Sequence, residues 1–73
     1  MKPRWRNTRT RTPDMNRNLL IKTVENDDAQ VSYFVCERRG DRFWGGLCSY
    51  SIVSPYREIF WMYLDEIEEA SRE

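Results

Sequence analysis

Histidine is missing from this chain, and its absence narrows the available chemistry at once. Acid–base work near neutral pH most often uses an imidazole, and a serine or cysteine nucleophile needs a neighbouring base to activate it. Cys36 and Cys48 are the only cysteines. Without histidine they fall short of the ligand set a structural zinc site requires. The carboxylates Asp65, Glu66, Glu68 and Glu69 crowd together near the C-terminal end, where a solvated helix face explains them better than paired general acids do. Gly45-Gly46 is not followed by the Lys-Ser/Thr of a phosphate-binding loop. The sequence assigns no catalytic residue, no metal site and no cofactor, and argues against an enzyme.

The residues that remain are suited to binding. The opening stretch MKPRWRNTRTR carries Arg4, Arg6, Arg9 and Arg11 beside Lys2, with no acid and one large apolar side chain, Trp5. Arginine pairs bidentately with phosphate or carboxylate, and Trp5 can stack on a base or enter an apolar pocket. The net charge of zero conceals a segregation. Residues 1–18 carry +5, residues 19–56 carry −1 and residues 57–73 carry −4. Such asymmetry points to an interaction tail. It also allows the basic segment to fold back onto the chain's own acidic end. Five spaced cations are a weak specificity signal and a reasonable electrostatic one for nucleic acid, or for protein beside nucleic acid.

The elements that position these groups follow from pattern. Residues 1–18 lack hydrophobic periodicity and are interrupted by Pro3 and Pro13, so they read as a disordered basic arm. The rest, 19–73, reads as a single small α+β domain. LLIKTVE (19–25) is a strand, NDDA (26–29) a turn and VSYFVCERR (31–39) a second strand. Gly40-Asp41 suits a two-residue hairpin loop, because Gly tolerates positive φ at the first central position. RFWGGLCSYSIV (42–53) returns as a third strand, with Gly45-Gly46 a bulge or a close backbone approach. In that register Cys36 faces Gly45 and Cys48 faces Tyr33, so the thiols point to opposite faces and read as ordinary buried thiols.

SPYREIFWMYLDEIEEASRE (54–73) reads as a helix, with Ser54 as N-cap and Pro55 at the first helical position. At 3.6 residues per turn, Tyr56, Ile59, Phe60, Tyr63, Leu64, Ile67 and Ala70 share one face. The expected architecture is a three-stranded antiparallel β-meander packed by this C-terminal helix. One sheet face would hold Val31, Tyr33, Val35, Trp44, Cys48 and Tyr50, the other Phe34, Cys36, Phe43 and Leu47. One helix covers only one face, so the other is either protected by the arm or left as a binding surface. Trp61 falls about 130° from the centre of the helix's apolar face. It reads as a contact for a partner or as a side chain lying against the arm or a strand edge. The candidate partner-binding residues are therefore Arg4, Trp5, Arg6, Arg9, Arg11 and Trp61. No apolar h-region follows the basic start and no apolar run approaches a membrane span, so a cytoplasmic protein with reduced thiols is expected.

With its very short length, the Arg/Thr arm RWRNTRTR, a compact strand-rich centre and an acidic amphipathic helix, the chain resembles the small host-takeover proteins of lytic phages. In particular it resembles the RNA-polymerase-binding transcription regulators found in Xanthomonas phage. The resemblance covers size and organisation and includes no diagnostic motif, so no contact residue is carried over from it. It implies a non-enzymatic protein of the bacterial host cytoplasm that binds host RNA polymerase near the RNA exit channel, through the N-terminal part of the β′ subunit. It implies opposition to σ-dependent initiation and antitermination at intrinsic terminators, aided by the elongation factor NusA. The nascent RNA is a further expected contact of the arm. Two other readings stand beside this one. One is a free-standing small nucleic-acid-binding module and the other is a protein inhibitor of another host enzyme.

Overall fold

The computed structural model describes residues 4–45 and 48–72. It is a six-stranded sheet followed by one short helix: β1 (Arg6–Asn7), β2 (Asn18–Glu25), β3 (Val31–Arg39), β4 (Arg42–Gly45), β5 (Cys48–Ser51), β6 (Arg57–Tyr63) and α1 (Leu64–Arg72). The strands lie in the order β1-β6-β2-β3-β4-β5, and every neighbouring pair is antiparallel.

The hairpins follow local chemistry. Gly40 sits at φ +62° in the turn between β3 and β4, and Arg39 pairs with Arg42 across it. The turn after β2 is closed by Ala29 N–H donating to the Glu25 carbonyl at 3.0 Å, while Gln30 N–H donates to Asp28 Oδ1 at 3.0 Å. Gly45 is a close approach: a Cβ there would stand 2.9 Å from the Cα of Cys36.

The expected three-stranded meander under a C-terminal helix is not what forms. Residues 42–53 make two strands rather than one. β5 folds back on β4, so Cys48 pairs with Gly45 and not with Tyr33. Gly46 and Leu47 lie outside the described residues. The larger correction concerns 54–73. Arg57–Tyr63 is a strand inserted between β1 and β2, and only Leu64–Arg72 is helical. Aromatic and β-branched residues such as Ile59, Phe60, Trp61 and Tyr63 suit a strand with neighbours on both sides. Ser54 caps a turn instead of a helix, with its Oγ accepting from Tyr56 N–H at 3.2 Å. The helix starts where Glu66 Oε1 accepts from Tyr63 N–H at 3.3 Å, the reach-back half of a capping box.

One sheet face is the core: Leu19, Ile21, Cys36, Phe43, Ile59 and Trp61 are buried there, with Phe34, Ile52 and Tyr63 packed beside them. The cover is not the helix expected for it. It is the N-terminal segment that composition suggested to be a disordered arm. Arg6 and Asn7 pair with Trp61 and Phe60, and Thr8 N–H extends the ladder to the Ile59 carbonyl at 3.0 Å. The chain then crosses the core face to β3, where Met15 bridges to Arg38. Thr8 and Pro13 are buried along the way. The expected arm of residues 1–18 is therefore, from Arg6 onward, part of the folded unit. No helix of the described residues is long and apolar enough to cross a membrane.

Candidate functional site: the open face of the sheet

The residues expected to meet a partner are, for the most part, engaged within the fold. Trp61 is 1% exposed, on the core face of β6. Its Nε1–H donates to the Arg11 carbonyl at 2.9 Å. Its placement beside a helix's polar face came from the wrong periodicity, and it offers no surface to a partner. Arg6 forms two hydrogen bonds to Glu66, at 2.7 and 3.0 Å, and its guanidinium lies 4.9 Å from the Trp61 ring centre. Arg9 pairs with Glu58 at 3.1 Å and donates to the Ser54 carbonyl at 2.6 Å. Arg4 and Arg11 are exposed. Trp5 is half-buried, and it belongs to a different constellation from the arginines around it.

Three arginines of the N-terminal strap, residues 6–17, are paired within the fold: Arg6, Arg9 and Arg17. Hydrogen bonds from Arg6 hold Glu66 below the ordinary carboxylate range, against the opposing effect of burial. The same bonds hold the Arg6 guanidinium above its usual value. The Asn7 amide, then the Arg9 guanidinium, lower Glu58 in the same way. Arg17 completes the set with two bonds to Asp65 at 2.9 and 2.8 Å, while its guanidinium lies 3.4 Å from the Tyr63 ring centre. The segregated charges of the two chain ends thus meet each other, the fold-back alternative that the sequence left open.

With the strap on the core face, the opposite face of the sheet is left uncovered by it. Alternation along the strands places Leu20, Lys22 and Val24 of β2 there. Their neighbours are Val31, Tyr33 and Val35 of β3 and Glu58, Phe60 and Met62 of β6, although Met62 itself is buried. Trp44 of β4 joins them opposite Glu37. Tyr33 is 63% exposed, Val35 53% and Trp44 50%; singly such exposure is ordinary, but here the residues lie on one face, and contiguous apolar patches mark interaction surfaces. The sequence grouped Val31, Tyr33, Val35, Trp44, Cys48 and Tyr50 on one face; the register bears out the first four, whereas Cys48 and Tyr50 pair with Gly45 and Phe43, in the rows that alternate with Trp44's.

The chemistry of this face is organised around Lys22. A single row crosses four strands: Tyr33, Lys22, Phe60 and Asn7 are consecutive cross-strand partners. The Lys22 ammonium lies 4.9 Å from the ring centres of both Trp5 and Phe60. Trp5 in turn stands 6.2 Å from Tyr33, tilted by 44°. Lys22 has no carboxylate partner among the described residues. The two carboxylates of this face are already taken, Glu37 by Arg39 at 2.7 Å and Glu58 by Arg9. Arg39 also approaches the Trp44 ring, at 5.8 Å. Sequence reasoning missed Lys22 and Phe60. The signal was the alternation in LLIKTVE together with a strand, not a helix, at REIFWMY, which would have put the lysine between two aromatic residues.

No group of three or more His, Cys, Asp or Glu gathers as a metal site among the described residues. Cys36 is a buried thiol in the core. The face offers flat aromatic surface, apolar area and one cation that has no carboxylate partner among the described residues. No protein family, curated protein or solved structure matches this chain.

Proposed function

We propose that this chain is a small non-enzymatic regulator of transcription, which binds host RNA polymerase near the RNA exit channel and acts by occupying space there. Interference with σ-dependent initiation and readthrough of intrinsic terminators, with NusA assisting, are the effects such occupancy would have. The observation that supports the reading is the open face, with Tyr33, Val35 and Trp44 each half exposed or more. Exposed aromatic residues in a protein this small are the usual anchors of an interface. A histidine-free chain without a catalytic constellation adds to it.

The test is retention of purified transcription elongation complexes on the immobilised full-length chain, together with transcription across an intrinsic terminator. Wild type should retain the complexes and raise readthrough. The Y33A/W44A double variant, altered only at exposed positions, should lose most of both effects. Failure of the wild-type chain to retain polymerase in any state would refute the reading. A free-standing nucleic-acid-binding module is the second reading, favoured by the ammonium of Lys22, which lies among aromatic rings with no carboxylate partner among the described residues. It requires comparable binding to nucleic acid with and without polymerase.

A further inference from the structure

The open face combines a central cation with exposed aromatic rings. Its central side chain is a cation rather than an apolar residue. An apolar protein surface laid over this row would bury the Lys22 ammonium, which is costly unless a carboxylate arrives in register. The face's own acids cannot serve, because Glu37 and Glu58 are held by Arg39 and Arg9. The natural complement is a partner that brings an anion and flat rings in alternation. Tyr33 presents an exposed ring on one side of Lys22. Trp5 lies against both Lys22 and Tyr33. Val35 and then Trp44 continue the surface along β3 and onto β4.

We propose that the Tyr33–Lys22–Trp5 cluster is a binding site for single-stranded RNA: bases stack on Tyr33 and Trp5, and the phosphate linking them meets the Lys22 ammonium. Single strands expose the faces of their bases, whereas a duplex buries them in its own stack, so the site discriminates by strandedness and not by sequence. The proposal deepens the reading above and rests on it for the choice of RNA, the strand that leaves the exit channel. Through this site the protein would hold the transcript itself, with the Lys22 row as its RNA contact and Val35 and Trp44, farther along the same face, left to meet the polymerase.

The experiment measures fluorescence anisotropy of a labelled oligouridine of about twelve nucleotides, a length that spans the face, titrated with the full-length chain over a range of salt. The matching oligothymidine and a duplex RNA are run in parallel. Oligouridine should bind at least about tenfold more tightly than the duplex. Tyr33→Ala should weaken it about fivefold or more, as loss of one stacked base does, while Tyr33→Phe, which keeps the ring, should bind like wild type. Lys22→Gln should flatten the log–log salt dependence by about 0.7, the contribution of one phosphate contact on a single strand. Oligothymidine binding within a few-fold of oligouridine supports the site, because neither the rings nor the ammonium reads the 2′-hydroxyl. A tenfold preference for the DNA strand overturns RNA as the occupant. Equal binding of duplex, or variants indistinguishable from wild type, overturns the site. Retention of polymerase by a chain that binds no oligonucleotide also overturns it and leaves the polymerase reading intact. Oligonucleotide binding without retention of polymerase does the reverse.

Discussion

The indole N–H of Trp61 donates to the carbonyl oxygen of Arg11 at 2.9 Å, joining positions fifty residues apart. The bond ties the core face of β6 to the strap that crosses it. A second tie lies beside it, where Asp14 N–H donates to the Tyr63 hydroxyl at 3.1 Å. Buried indole and phenol groups need such partners, and here both partners are strap backbone. The strap is thus the cover of the hydrophobic core, although its composition is that of a solvated tail; among the described residues its buried side chains are Thr8 and Pro13.

It follows that residues 1–17 cannot be removed without loss of the fold. Their removal would uncover Leu19, Ile21, Ile59 and Trp61, all at 1% exposure or less. A chain starting at Asn18 should show no cooperative thermal transition by circular dichroism. Trp61→Ala in the full chain should cost about 3–5 kcal/mol, the range for truncating a buried aromatic residue. A truncated chain that melts cooperatively near the wild-type temperature would refute this account.

Arg6 is the strap's main electrostatic pin. It forms a bidentate pair with Glu66 and lies 4.9 and 5.6 Å from the ring centres of Trp61 and Tyr63. Arg6→Ala should destabilise by about 1–2 kcal/mol, since the pair is only partly shielded from solvent. Arg6→Lys should recover little, because an ammonium cannot reproduce the two-point contact. A double-mutant cycle with Glu66→Ala, read by urea denaturation, should return a favourable coupling. A coupling indistinguishable from zero would reduce the pair to a surface contact.

The sequence was legible where turn chemistry decides the structure. Gly40-Asp41 set the β3–β4 register by itself, and the pairing of Arg38 with Phe43 follows from it. It was illegible where two periods overlap. In YREIFWMYLDEI the apolar residues satisfy a helical stripe, and Ser54-Pro55 looks like a helix start. Yet Ile59, Trp61 and Tyr63 alternate as a strand, and the wheel that left Trp61 outside the apolar stripe was already a sign that the period was wrong. The strap was hidden for another reason. Its position is fixed by long-range partners, the core residues Trp61 and Tyr63 and the acids Glu58, Asp65 and Glu66, and local composition carries no record of those beyond the opposite charges at the two ends. The open face was legible in part: β3 and β4 gave Tyr33 and Trp44, but Lys22 and Phe60 needed β6 in its place.

Acid should loosen the strap. Glu66 and Glu58 titrate below their ordinary value of 4.5 in the folded state, held down by hydrogen bonds from Arg6 and from Asn7 respectively. A carboxyl with a depressed folded pKa is more often protonated in the unfolded chain, so stability rises with pH in that interval. The contribution is complete above the unfolded value and is lost as pH falls through the folded one. The melting temperature should therefore be flat around neutrality and fall progressively below about pH 4.5. Glu66→Gln should start lower and show a shallower decline. A variant whose acid limb parallels that of wild type would show that other groups carry the dependence.

Two backbone positions should respond to single-methyl changes with opposite signs. At Gly45 a Cβ would stand 2.9 Å from both Cα and Cβ of Cys36 and 3.1 Å from the Val35 carbonyl oxygen. Because two of those atoms belong to the β3 backbone, the clash is relieved only by moving the strand. Gly45→Ala should cost about 1–3 kcal/mol, as overpacking does. Ala29 presents the converse case. It sits at φ +58° in the β2–β3 turn, a left-handed conformation in which a Cβ crowds the following carbonyl oxygen. Ala29→Gly removes that crowding and, after the added chain entropy of glycine, should stabilise by up to about 1 kcal/mol. Both variants are read by thermal melting. Stabilisation by the first, or clear destabilisation by the second, would contradict the turn and hairpin geometry on which the register of the open face depends.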